Sequence, residues 1–150
     1  MGKKYWLMKS EPEVYSIDHL KRDKKTYWDG VRNYQARNFL RDQVKAGDQV
    51  FFYHSNADPS GIAGIAEVVR EGYSDPSQFD SKDVHYDSAS TQEKPIWYVV
   101  ELAFVEKFKE IISLDQLRKI KGLEKMLLLR RGQRLSVMPV SQEEWNIIVK

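Results

Sequence analysis

No cysteine occurs among the 150 residues, which removes disulfides, zinc–thiolate sites and a cysteine nucleophile together. No long apolar run is present, so nothing in the sequence suggests a membrane span or a membrane partner. Charge of one sign is also missing. The 24 Lys and Arg stand against 22 Asp and Glu, and the resulting net charge of +2 is too weak to draw polyphosphate by itself. Any affinity for nucleic acid therefore needs a local patch. Linker-like stretches, internal repeats and low-complexity tracts are absent, which points to one domain over residues 1–150. A hydrophobic content of 41% with 12% aromatic residues excludes disorder. The amino-terminal Met1-Gly2-Lys3-Lys4 enters an apolar run at once, leaving no room for the hydrophobic region of a signal peptide. A cytoplasmic protein is the expectation. Gly2 does not open a myristoylation pattern, because Trp6 stands where that pattern requires Ser or Thr.

Hydrophobic patterning then places the elements. Lys4 to Met8 reads as a short strand, stopped by the turn ahead of Pro12. Ser16 can cap a helix through Lys21, and Asp23 to Lys25 returns the chain to the surface. Asn33 can cap a helix from Tyr34 to about Gln43. The aromatic run Val50 to His54 lacks polar alternation and reads as a strand buried on both faces. Ile62 to Val69 reads as its hairpin partner, with Gly64 marking a barrel corner or a close approach by another backbone or a ligand. Glu71 to Lys94 is polar and turn-rich, an excursion long enough to act as a lid, with Tyr73, Phe79, Tyr86 and Asp87 as anchors. Ile96 to Val105 is the clearest strand, Leu135 to Met138 a short one stopped by Pro139. Ser113 with Gln116, and Ser141 with Glu144, are capping boxes for two further helices. About six strands among about four short helices argue for an α+β fold, a mixed sheet curled into a small barrel.

Recognition chemistry concentrates in Trp28 to Asn38. Trp28 supplies a stacking face, Gly30 permits close backbone approach, and Arg32, Asn33 and Gln35 can bond the edges of a planar polar group. The same residues also read as an ordinary helix start, with Asn33 as cap and Trp28 and Val31 in the core. Cations for a phosphate backbone are Arg37 and Arg41 here and Arg130, Arg131 and Arg134 near the carboxyl end. No phosphate loop, dinucleotide fingerprint or cofactor motif is present. His19, His54 and His85 have no metal-ligand spacing. A dyad of His54 and Ser55 would be the best catalytic option, but neighbours on a strand point to opposite faces. A small anion at the helix start remains an alternative ligand.

Five ordered blocks carry a resemblance: Tyr5 to Pro12, Trp28 to Asn38, Phe52 to Ser55, Gly61 to Gly64, and Leu135 to Val140. In this order and spacing the chain resembles the EVE domain family over essentially its whole length. The resemblance implies a PUA-like pseudobarrel, akin to RNA-binding PUA domains and to YTH readers of methylated adenine. It further implies a pocket proposed to admit a modified base of DNA or RNA; with no catalytic constellation among the residues, the expectation is a non-enzymatic binding module. Joined to the reading of the residues, the ligand-binding set is Trp6, Lys9, Ser10, Trp28, Gly30, Val31, Arg32, Asn33, Tyr34, Gln35, His54, Ser55, Ser136 and Val137. Trp28 would stack on the base with Trp6 as a second wall. Backbone amides near Gly30 and Val31 would read the base edge, and Arg32 or Lys9 would hold an oxygen.

Overall fold

The computed structural model describes residues 3–150; the readings of the amino terminus that rest on Met1 and Gly2 lie outside the described residues. Strand β1 (Tyr5–Ser10) pairs parallel with β3 (Gln49–His54) and antiparallel with β6 (Val137–Val140). A parallel pair needs a long crossover. Here it is made by α1 (Ile17–Asp23), β2 (Lys25–Tyr27) and α2 (Tyr34–Asn38). The long antiparallel strands β4 (Gly61–Ser74) and β5 (Tyr98–Ser113) complete one mixed sheet in the order β2-β5-β4-β3-β1-β6. The remaining helices are α3 (Leu114–Arg118) and α4 (Gln142–Val149). The fold is α+β, as expected from the pattern of elements. In this order β2 and β6 are edges, so the hydrogen-bonded ladder does not close on itself among the described residues.

The core follows the buried run of β3. Phe51 and Phe52 are fully buried with Leu7, Met8, Ile62 and Leu102. Phe51 stacks on Trp145 of α4 at 3.9 Å between ring centroids. Where β1 begins, the buried carboxylate of Asp48 accepts from the backbone N–H groups of Lys4 and Lys45 and from Trp6 Nε1, each at 2.9 Å. That bond fixes the Trp6 indole inside the protein.

Several element boundaries differ from expectation for identifiable reasons. Strand β1 runs on through Lys9 and Ser10, which pair with Tyr53 and His54. Strand β2 forms where a surface return was expected, because three polar residues pair with Ala103 to Glu101 without apolar alternation. Strands β4 and β5 extend beyond Val69 and Val105 through a series of register shifts that break the period of two. The excursion is correspondingly shorter, starting at Asp75 with a 3₁₀ turn over Pro76–Phe79. Helix α2 widens over Phe39–Gln43 into a π turn, with Val44 N–H donating to the Phe39 carbonyl at 2.9 Å. Pro139 lies inside β6, tolerated because β6 is an edge strand. Gly64 marks a close backbone approach: a Cβ there would overlap the Glu106 carbonyl and press on Ile17.

Candidate functional site

A cavity of about 450 Å³ opens at the carboxyl end of β1. Lys9 and Ser10 come from that strand, Val14 and Tyr15 from the turn before α1, Thr26 and Tyr27 from β2, and Trp28 to Arg32 from the segment after it. Ser136, just ahead of β6, and Asp83, Val84 and His85 close the remaining sides. A larger recess of about 590 Å³ at Glu11 to Glu13 and Asn56 to Ser60 has no aromatic lining and offers no stacking surface.

One wall is pinned by a buried carboxylate. Asp75, fully buried, accepts from Gly30 N–H at 2.9 Å, Ser77 N–H at 2.8 Å, the Ser77 hydroxyl at 2.6 Å and Arg32 Nη1 at 3.1 Å. Arg32 also donates to the His85 carbonyl at 2.7 and 3.1 Å, to Ser77 Oγ at 3.1 Å and to the Val31 carbonyl at 3.0 Å. All five donor positions of a guanidinium are thereby engaged inside the chain. Gln78 clamps Ile96 and Trp97 through backbone bonds, and the Trp97 indole N–H donates to Asp87 at 2.7 Å. The His85 ring covers Gly30, where φ is +77° and a Cβ would lie 2.7 Å from the ring. The excursion is thus a tied wall of the pocket. Of its expected anchors, Asp87 holds Trp97, whereas Tyr73 donates to Glu101 at 2.9 Å within the β4–β5 ladder.

Lys9, Ser10, Trp28, Gly30, Val31, Arg32 and Ser136 meet at this cavity. Trp28 lies edge-on to Phe52 at 5.3 Å and is 7% exposed, so it serves core and pocket together. Lys9 is half-buried, forms no ion pair among the described residues, and has its ammonium pKa lowered by burial. The Ser10 hydroxyl donates to the Tyr15 carbonyl at 2.7 Å. Two expected donors to a ligand are already taken, the Gly30 amide by Asp75 and the Arg32 guanidinium by the wall.

The other expected residues lie elsewhere. Trp6 is held in the core by Asp48, and Val137 is fully buried. His54 Nε2 accepts from Ile17 N–H at 3.1 Å, and burial holds its pKa below the ordinary value. Ser55 N–H donates to the Ser10 carbonyl at 3.0 Å, and among the described residues the ring partner of His54 is the Ile17 N–H rather than the Ser55 hydroxyl. Asn33 accepts from Ala36 N–H at 3.0 Å as the cap of α2, which engages one amide of the helix start expected to take an anion. Tyr34 packs on Trp97 at 5.0 Å, and Gln35 is exposed outside the pocket lining. Arg37 donates to the Ile96 carbonyl at 2.7 Å and Arg41 pairs with Asp42 at 2.8 Å, while Arg130, Arg131 and Arg134 are exposed.

Sequence reasoning passed over Asp29, Val14 and Val84. Asp29 opens to solvent on one side, yet its carboxyl is pushed above the usual range, first by burial among the pocket atoms and then by the charge of Asp75. It lay inside the Trp28 to Asn38 stretch, where an acid beside a tryptophan and a glycine was the available signal. Val14 and Val84 line the pocket while 74% and 91% exposed, so they stand at its mouth. Neither has a local sequence signature. The pocket is therefore lined by the Trp28 indole, the Lys9 ammonium, the Asp29 carboxyl and an apolar rim.

A mixed α+β sheet carrying such a pocket at one strand end defines a small recognition domain. The chain belongs to the EVE domain family, whose pattern it matches over residues 4–150. Thymocyte nuclear protein 1 of Gallus gallus is 46% identical over 97% of this chain and 67% of its own length. Among solved structures, a Pseudomonas syringae protein superposes with a TM-score of 0.94 at 48% identity, covering 97% of both chains. The human THYN1 protein, in complex with 5-methylcytosine containing DNA, superposes with a TM-score of 0.90 at 44% identity, covering 98% of this chain and 96% of its own.

Proposed function

We propose that this chain is a nucleic-acid-binding module that reads a modified base held in the Trp28 pocket. The observation that carries the reading is the convergence of Trp28, Lys9 and Asp29 on one cavity of about 450 Å³, within the range of roughly 300–1,000 Å³ usual for small-ligand sites. The DNA complex of the human THYN1 protein supports DNA as the partner. A base taken out of a stack needs an aromatic face and a few groups aimed at its edge. Trp28 supplies the face. Asp29 accepts from an exocyclic amine, the hydrogen bond by which acids recognise cytosine. Lys9 donates to a ring nitrogen or carbonyl oxygen, and since it forms no ion pair among the described residues its three N–H groups are left for the ligand. Burying an added methyl contributes only about 1 kcal/mol. Modification therefore tunes affinity by several-fold on top of base recognition.

The test is a fluorescence titration of matched DNA oligomers carrying cytosine or 5-methylcytosine, single- and double-stranded, at two salt concentrations. A preference for the modified oligomer that persists as salt rises is expected, because phosphate contacts alone weaken with salt and ignore the base. In a folded protein Asp29→Asn should weaken binding to both oligomers alike, and Trp28→Phe should reduce the preference. Equal affinity for both oligomers, or variants that bind as the parent does, would overturn the reading.

A further inference from the structure

Residues 118–134 contain seven basic residues and a single acid, Glu124. This local excess is larger than the +2 of the whole chain, so the remaining residues are net acidic. Such segregation makes net charge a poor guide to what this surface attracts. All seven cations are exposed, and none forms an ion pair among the described residues. Glu124 spends its carboxylate on the Gly122 N–H at 2.9 Å.

The segment is also held in place. Leu117, Leu123, Met126, Leu128 and Leu135 are buried beneath it. The limb bearing Arg118, Lys119, Lys121 and Lys125 is tied to the limb bearing Arg130, Arg131 and Arg134 by Arg118 Nη1, which donates to the Leu129 carbonyl at 3.2 Å. Two observations connect this surface to the pocket. Past Arg134 and the buried Leu135, the Ser136 carbonyl accepts from Lys9 N–H at 2.8 Å, and both residues line the cavity. Tyr53 bridges the other limb. The Lys9 ammonium lies 5.7 Å from its ring centroid, and Arg118 is near enough to oppose the rise in its phenol pKa that burial causes.

We infer that residues 118–134 form a phosphate-binding track that leads a nucleic-acid strand to the Trp28 pocket. The inference rests on the nucleic-acid reading of that pocket and assigns the backbone contacts to one face. Phosphates suit it because exposed cations on a fixed segment position a polyanion without reading sequence. An anionic membrane suits it less, since the segment's apolar side chains are buried or packed against the core, with none fully exposed to insert among lipid tails. Arg37 and Arg41, already engaged by Ile96 and Asp42, lie outside the track.

The experiment measures the salt dependence of binding to the DNA duplexes described above, using the parent, an Arg130→Gln/Arg131→Gln/Arg134→Gln variant and an Arg37→Gln/Arg41→Gln variant. Each lost duplex phosphate contact lowers the slope of log K against log salt by about 0.9. The triple variant should therefore lose about two to three units of slope and at least about tenfold in affinity at moderate salt. Its ratio of affinities for modified and unmodified DNA should stay that of the parent, and the Arg37/Arg41 variant should bind as the parent does. A triple variant with the parent's slope would overturn the track; if Trp28→Phe still reduced the modification preference, the pocket reading would stand. Weakened binding in the triple variant, with no modification preference in any protein, would keep the track and sink the pocket reading. Loss of binding only to phosphatidylserine vesicles, with DNA binding unchanged, would assign the surface to a membrane instead and overturn the inference.

Discussion

Replacing Asp75 with alanine removes the acceptor for four donors: the N–H groups of Gly30 and Ser77, the Ser77 hydroxyl and Arg32 Nη1. Water does not reach Asp75 in the folded protein, so these donors lose their partner outright. Removing one member of a buried ion pair typically costs about 3–5 kcal/mol, because the surviving charge is left uncompensated. The Arg32 side chain keeps 22% exposure and retains its bonds to the His85 carbonyl and Ser77, which places the expectation near the lower end, at about 3 kcal/mol. Asp75→Asn preserves shape and one acceptor and should cost about 1–2 kcal/mol. Urea unfolding followed by tryptophan emission reads these values as a lower midpoint at unchanged m. In a cycle with Arg32→Met, the double variant should be less destabilised than the sum of the singles by about 1–2 kcal/mol, since each single leaves the other group unpaired. A loss below about 1 kcal/mol for Asp75→Ala, or strict additivity, would refute the claim that this pair holds the pocket wall.

Burial keeps the folded-state pKa of His54 below its ordinary value, so the unfolded chain takes up that proton first as pH falls. The contribution of neutral His54 is complete above about pH 6.5 and drains toward the lower folded-state pKa, at up to about 1.4 kcal/mol per pH unit. His54→Gln, which keeps an acceptor for Ile17 N–H, should flatten that limb of a stability-against-pH curve; an unchanged limb would show that another group sets it. Gly64→Ala drives a Cβ into the Glu106 carbonyl and should cost at least about 2 kcal/mol in thermal or urea unfolding. Gly47→Ala, at φ +94° in open space, should cost only about 1–2 kcal/mol. A neutral Gly64→Ala would mean that β4 and β5 do not approach as closely as described.

Local chemistry was legible in the sequence, and long-range pairing was not. The caps at Ser16, Asn33, Ser113 and Ser141 all form, because a cap involves only residues within the next turn. At Ser16 the reciprocal partner is His19 Nδ1, which no capping-box pattern anticipates. The buried run of β3 was equally readable from its apolar continuity. Strand β2 was not, since its three residues acquire meaning only opposite Ala103 to Glu101. The same distinction runs through the pocket. Trp28 and Lys9 stand out by residue type and neighbourhood, whereas the engagement of Arg32 depends on Asp75, Ser77 and His85, separated from it by 43, 45 and 53 positions. An arginine in a recognition-rich stretch looks the same in sequence whether its donors face a ligand or a distant loop.

The anchoring of the excursion divides labour within a single loop. Asp75, Ser77, Gln78 and Asp87 secure its base and flank, while Val84 stands at the pocket mouth with 91% of its surface free. Substitution at that tip changes what the mouth admits without disturbing the bonds that keep the wall upright. On the proposed reading of the pocket, exchanging one or two rim residues should change the ligand with little risk to folding. Val84 is accordingly the position at which to begin altering selectivity by design.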